Sequence, residues 1–278
     1  MDAVLLVNKP DGMTSFDVVA RCRHIFHEKK SGHTGTLDPN ARGLMIVLLG
    51  KYTKLTNFAV KDHKHYHAMF ELGRKYDTGD IWGTVIDEKT PGEHTVEELQ
   101  MYADRLTGTI SQMPPMYSAI KVNGKKLYEY ARKGKEVERT ARTVTVDRFA
   151  ISRGDLFEAD CIVSSGTYIR TLIEDLGELA GEYAAMSFLE RTGIEHLKLE
   201  DANTLEQLET SPVFLNPLAV IDPSWTIMDA PDPNDIYNGR TIDLETDQSR
   251  VILKDGETLL AAYEKRNDGH YHCLRGLF

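Results

Sequence analysis

Two stretches, "TVTVDRFAIS" and "FEADCIVSS", face each other across the four residues "RGDL". Both alternate apolar and polar residues with the period of a half-buried strand. A link this short lets the second run return only antiparallel to the first. A third run, "HKHYHAMFEL", alternates in the same way. Three such segments call for a sheet with one covered face. Helices are needed to cover it, and the sequence marks three. Thr14 and Asp17 have capping-box spacing, and Val18, Val19, Cys22, Ile25 and Phe26 then share one helical face. Thr95 and Glu98 repeat the box ahead of Leu99, Tyr102, Ala103 and Leu106, with Gly108 as the stop. "TYIRTLIEDLGELAG" turns Ile169, Leu172, Ile173 and Leu176 inward. "AVLLVNKP" reads as a buried strand ended by Pro10, while "LMIVLLG" fits either a strand or the start of a buried helix. The expected fold is mixed α/β (α+β), built on an extended, largely antiparallel sheet flanked by helices.

A cluster of prolines and acids, "LAVIDPSWTIMDAPDPND", marks a boundary and divides the chain into residues 1–222 and 223–278. Beyond it, Asp255-Gly256 and Asp268-Gly269 sit between short strand-like runs as hairpin turns, so a small all-β domain is expected at the C-terminal end. The net charge of −10 argues against a nucleic-acid partner until its distribution is read. Residues 1–60 hold 8 Lys and Arg against 5 Asp and Glu, and residues 111–150 hold 9 against 4. Residues 201–278 hold 6 against 14, so the acidity lies at one end and a polyanion can bind the rest. Cys22, Cys161 and Cys273 form no disulfide framework and no CxxC metal pair, which points to reduced thiols in a cytoplasm. The N-terminal residues read as neither a signal nor a transit peptide, and no apolar run is long enough to span a membrane.

Five segments carry chemical content. In "SGHTGTLDPNARGL", Asp38 stands between Leu37 and Pro39, with Gly32 and Gly35 upstream; by itself this reads first as a turn with a backbone-bonded Asp. His63, His65 and His67 share a strand face, read as a solvated or RNA-facing row because no further ligand completes a metal set. Tyr66 points the other way, into the core. In "LGRKYDTGDIWG", Asp77 and Asp80 read as a polar loop. "QMPPMYSAIKVNGKKLYEYARKGKEVERTAR" interleaves Tyr117, Tyr128 and Tyr130 with Lys121, Lys125, Lys126, Arg132, Lys133 and Lys135. That mixture suits a phosphate backbone with unstacked bases as well as a solvated loop. Arg170 begins a helix, where the dipole disfavours a cation, so a carboxylate or phosphate is expected to answer it.

Taken in order, "NKPDGMTS", "GHTGTLDPNARGL", "HYHA" with "LGRKYDTGD", "QMPPMYSAIKVNGKKLYEYARKG" and "SGTYIRTLIEDLG" resemble the TruB-type tRNA pseudouridine synthases over most of residues 8–191. The resemblance implies that Asp38 is the catalytic aspartate and that Tyr66 stacks on the target base. It makes Tyr168 a second pocket tyrosine, Arg170 the arginine that pairs with the catalytic aspartate, and Leu189 an apolar wall of the pocket. His33 matches the histidine that enters the T-loop where the base leaves. Residues 112–138 correspond to an RNA-gripping thumb carrying Lys121, Lys125, Lys126, Arg132 and Lys133. The C-terminal segment resembles a small PUA-like domain only weakly.

The implied reaction moves the glycosidic bond of uridine from N1 to C5 and calls for no cofactor and no metal. The implied partner is tRNA through its T stem-loop, with a monomeric, cytoplasmic enzyme that needs no protein partner and also helps tRNA to fold. A guide-dependent synthase of the dyskerin kind, a non-catalytic RNA chaperone and a nucleoside hydrolase are the competing readings. The long thumb argues against the first. Asp38→Asn distinguishes the second, and release of free uracil the third.

Overall fold

The strand β1, Ala3–Lys9, pairs antiparallel with β3, Arg42–Leu49, and both are buried almost throughout. "LMIVLLG" is therefore a strand. Its continuous apolar run is that of a strand covered on both faces. The computed structural model describes residues 1–278, which group into two compact units. One comprises residues 1–61 and 198–278, and the other residues 62–197.

In the first unit, helix α1, Ser15–Phe26, starts at the expected capping box: the Thr14 hydroxyl accepts from the Asp17 amide and the Asp17 carboxylate accepts from the Thr14 amide. The Thr14 hydroxyl also donates to the Asp17 carboxylate at 2.6 Å, and that bond, then the one from the Thr14 amide, holds the Asp17 carboxyl below its usual range. Val18, Val19 and Cys22 are buried as the helical face requires. Strand β2, Ser31–His33, lies antiparallel to the far end of β3. The C-terminal segment of the same unit forms a four-stranded sheet from Thr226–Asp229, Arg250–Asp255, Thr258–Lys265 and Tyr271–Gly276. The two Asp-Gly pairs lie in its hairpin turns, as expected, and both glycines have positive φ. Val251, Leu253, Leu260, Tyr263, Tyr271 and Ile236 form a core of its own. The boundary read from sequence at 222/223 falls just ahead of the first of these strands.

The second unit is an antiparallel sheet. Its strands are β4, Lys64–Leu72; β7, Gly108–Gln112; β10, Arg142–Arg153; β11, Phe157–Val163; and β12, Ala184–Ile194, in the order β12-β4-β11-β10-β7. Between β4 and β7 lie the hairpin of β5, Arg74–Tyr76, and β6, Val85–Glu88, then helix α2, Val96–Arg105. The hairpin of β8, Lys121–Val122, and β9, Lys125–Lys126, precedes the short helix α3, Leu127–Ala131. Helix α4, Ile169–Leu179, connects β11 to β12.

The run "TVTVDRFAIS" pairs with "FEADCIVSS" across the predicted turn. Along β4, Lys64, Tyr66, Ala68 and Phe70 are buried while His65, His67 and Met69 are half-exposed. Helix α4 buries Ile169, Leu172, Ile173 and Leu176, each contributing roughly 1.5–3 kcal/mol by burial. It lies so close to β12 that a Cβ on Gly177 would fall 2.6 Å from the Ala184 Cβ. The α2 helix ends at Arg105, and Gly108 instead opens β7 with φ +93°. No helix is long and apolar enough to cross a membrane. The mixed α/β architecture with an extended, mostly antiparallel sheet is the one read from sequence.

Candidate active site

The loop that carries Asp38 is held through its main chain. Ser15, buried at the start of α1, accepts the Leu37 amide at 2.8 Å and donates to the Leu37 carbonyl at 3.0 Å. Lys9, fully buried at the end of β1, donates its ammonium to the carbonyls of Pro10 (2.8 Å), Pro39 (3.0 Å) and Ala41. The Ala41 amide closes a turn on the Asp38 carbonyl at 3.1 Å. A buried ammonium is tolerated only when its donors are answered, and three carbonyl oxygens answer it here. Residues on both sides of Asp38 are thereby fixed, and the half-buried Asp38 side chain springs from a rigid segment. His33 ends β2 opposite Val47 and is half-buried.

The other predicted residues lie in the second unit. Tyr66 and Leu189 are 8% and 6% exposed. Register pairs Tyr66 with Arg191 and Ala68 with Leu189, so Tyr66 and Leu189 are diagonal neighbours on the inner face of the sheet. Tyr168 is the N-cap of α4. The buried amide of Gln112 clasps its main chain at both ends, accepting the Tyr168 amide at 2.8 Å and donating to the Tyr168 carbonyl at 3.1 Å.

Arg170, 4% exposed, donates to the Thr78 carbonyl at 2.7 Å and to the Tyr117 carbonyl at 3.0 Å. Its Nε lies 3.6 Å from the Asp80 carboxylate. The expectation of a carboxylate facing this arginine is met, and Asp80 supplies one. Asp80 is 9% exposed, so reading it as part of a polar loop is corrected: burial beside a guanidinium makes it half of an ion pair. Glu174, one helical turn after Arg170, packs its carboxylate on Gly79; burial, then the neighbouring Asp175, push its carboxyl up.

The histidine row is also corrected. His63 has φ +41° and lies off the strand, with Nδ1 3.0 Å from Asp147, while His67 Nδ1 meets Asp160 at 3.0 Å. His65 and His67 alone share the strand face. No group of His, Cys, Asp and Glu has the geometry to hold a metal ion.

The predicted thumb is a β8–β9 hairpin turning at Asn123 (φ +51°) and Gly124 (φ +80°), followed by α3. Lys121, Lys125, Arg132 and Lys133 are exposed and Lys126 is half-buried. The Lys126 ammonium and the Arg132 guanidinium both lie over the Tyr128 ring, at 5.4 and 5.2 Å from its centroid, so this tyrosine organises cations. The thumb's roots are tied together by Arg139, which donates to the Pro114 carbonyl at 3.0 Å. Tyr117, at the first root, reaches the Asp77 carboxylate with its hydroxyl at 3.5 Å; burial and that carboxylate push the phenol up.

Comparison with known proteins fits these segments. The sequence model described as TruB family pseudouridylate synthase (N terminal domain) matches residues 23–169. A protein named tRNA pseudouridine synthase B from Streptococcus gordonii is 41% identical over 286 residues, covering 96% of this chain and 97% of the relative. The chain belongs to the TruB family of pseudouridylate synthases. A tRNA pseudouridine synthase B from Oenococcus oeni is 38% identical, covering 97% of this chain and 96% of the relative. Among solved structures, a Cbf5-Nop10-Gar1 complex aligns with a TM-score of 0.71 at 21% identity, covering 99% of this chain and 85% of that one, and shares the fold. The TruB match ends at Ile169, so Arg170 and Leu189 lie beyond it.

Sequence reasoning missed Lys9, Gln112 and the partnership of Asp80. Lys9 had a signal, a lone cation ending a strand whose first five residues are apolar. Asp80 had a weaker one, an acid directly after a glycine in a loop crowded with turn residues. Gln112 had none.

Proposed function

We propose that this protein is a tRNA pseudouridine synthase that converts the T-loop uridine, position 55, into pseudouridine. The observation that carries the reading is the likeness, over nearly the whole of both chains, to a protein named tRNA pseudouridine synthase B. In the reaction the C1′–N1 bond breaks, the uracil turns, C1′ bonds to C5, the C5 proton leaves and N1 takes up a proton. Atoms balance without an external nucleophile or an oxidant.

In this reading Asp38 supplies the carboxylate that acts on the sugar or the base, and its tethered loop limits where that carboxylate can go. Arg170 supplies the cation that keeps a partly desolvated carboxylate ionised. The target must leave its stack, which costs a few kcal/mol, and the Tyr66 ring with Leu189 gives it an apolar seat. Tyr168 shapes the same pocket, and His33 fills the space that the base leaves. Lys121, Lys125, Lys126, Arg132 and Lys133 contact phosphates along the T stem. Residues 1–222 act as the catalytic domain, and 223–278 as a separate, acidic β domain. The enzyme works as a monomer in the cytoplasm, with no protein partner, and assists tRNA folding through the same contacts.

The test uses a tRNA transcript tritiated at uridine C5. Wild type releases tritium to water and leaves one pseudouridine in the T-loop, whereas Asp38→Asn binds the transcript and releases none. Tight binding without release by the wild type would leave the chaperone reading standing instead.

A further inference from the structure

The turn after Asp80 carries a side chain to which the site above gives no role. Trp82 stands at its tip, 46% exposed, and no ring or cation packs on it. The other tryptophan, Trp225, packs edge-on against Phe58 at 5.0 Å and is covered by the Arg250 guanidinium.

The base under Trp82 is rigid. The Gly83 amide donates to the Asp80 carbonyl at 3.1 Å and the Ile81 amide to the Met186 carbonyl at 3.0 Å. The Thr84 amide donates to the Asp77 carboxylate at 2.8 Å, and the Thr78 hydroxyl to the Asp80 carboxylate at 2.7 Å. A Cβ on Gly83 would fall 2.2 Å from the Thr78 hydroxyl and 2.5 Å from the Asp77 carboxylate, so the turn closes only around glycine. The indole is thus held out into water on a fixed mount, which is the requirement for a stacking platform with little ordering cost on binding.

Its place in the fold points to the ligand. The segment that bears Trp82 gives Arg170 its Thr78 carbonyl and its Asp80 carboxylate, and Arg170 also holds the Tyr117 carbonyl at the root of the cationic thumb. Asp77 meets the Tyr117 hydroxyl from the same segment. The exposed ring and the phosphate-seeking cations therefore hang from one bracket, and cations beside a free aromatic ring are what a nucleic-acid strand recognises.

We propose that Trp82 stacks on a nucleobase of the RNA substrate other than the reacting uridine. This deepens the tRNA reading above and rests on it.

The Trp225→Phe protein retains Trp82 as its single indole. Titration with an unmodified tRNA transcript is expected to quench its emission to a saturating plateau. Trp82→Ala is expected to raise KM roughly ten-fold while kcat stays within about two-fold, with Trp82→Phe recovering most of the loss and Trp82→Leu recovering little. Unchanged emission at saturation overturns the proposal, as does a Trp82→Ala KM within about two-fold of wild type. Full recovery by Trp82→Leu also overturns it, because that outcome describes an apolar contact such as a protein would make with Trp82 and its exposed neighbours Val85 and Ile86. If the Trp225→Phe protein binds tRNA but forms no pseudouridine, the synthase reading has failed. If it forms pseudouridine with unaltered emission, only the stacking site has failed. The emission readout decides the matter even if a Trp82 variant does not fold.

Discussion

Two loops of this protein carry an aspartate among glycines, and different cations and hydroxyls hold their main chains. Around Asp38 the ties go to the main chain: Ser15 to Leu37, and Lys9 to the carbonyls of Pro39 and Ala41. Around Asp80 the carboxylate itself is used, accepting the Thr78 hydroxyl and facing the Arg170 guanidinium. Asp80 is buried and Asp38 half-buried. Ties to the main chain on both sides of Asp38 fix the point from which its carboxylate springs. A carboxylate that positions another group can have its oxygens engaged. The loops look alike as strings of small and acidic residues, and the cations Lys9 and Arg170 separate them.

The largest effect that would break this contrast is catalytic. Asp38→Asn is expected to cut tritium release at least roughly a thousand-fold, since the only carboxylate the reading assigns to the chemistry is gone. Its urea midpoint should stay near that of wild type, because the ties from Ser15 and Lys9 to the loop's main chain survive the change. An equal loss of activity from Asp80→Asn, with no loss of stability, would exchange the roles of the two acids.

Next in size is the removal of the cation under the Asp38 loop. Lys9→Met leaves the Pro10, Pro39 and Ala41 carbonyls without their donor, and should cost about 3 kcal/mol of unfolding free energy. Ser15→Ala, which forfeits two bonds to Leu37, should cost about 1–2 kcal/mol. Urea melts measure both, and both variants should lose kcat more than they raise KM. Asp80→Asn sharpens the other side. It removes the charge facing Arg170, whose two carbonyl partners remain, and should cost about 2–3 kcal/mol. The double variant with Arg170→Met should lose less than the sum of the two single losses.

The different legibility of the loops has a physical source. Strand β4, the β10–β11 hairpin, α1 and α4 were readable because period and capping are local properties of the chain. The strand Arg42–Leu49 was ambiguous because an element covered on both faces shows no period. Asp38, Tyr66, Tyr168, Arg170 and Leu189 were singled out by likeness to a family, and Arg170 also by its awkward place at a helix N-terminus. Lys9 escaped because its partners are backbone carbonyls 30 and 32 residues away, which leave no mark in residue identity. Asp80 escaped for a related reason: its partner lies on a helix distant in sequence, and burial of a loop acid has no local signature. His63 was misplaced because alternation says nothing of where a strand starts.

The smallest effects test the glycines that made the two loops look alike. Gly79 has φ +74°, and a Cβ there would lie 2.8 Å from the Glu174 carboxylate. Gly79→Ala therefore combines left-handed strain with a clash against a half-buried side chain one turn from Arg170, and should cost about 1–3 kcal/mol. Gly32 sits in strand β2 with φ outside the left-handed region and nothing within 4 Å of a built Cβ. The freedom that its sequence position suggested is not used, so Gly32→Ala should change stability by less than about 0.5 kcal/mol. Thermal melts of the two variants side by side decide the point. A large loss from Gly32→Ala would mean that the Asp38 loop, too, depends on a special backbone conformation. A negligible loss from Gly79→Ala would mean that Glu174 yields easily, and that the Asp80 loop does not depend on the left-handed conformation at Gly79.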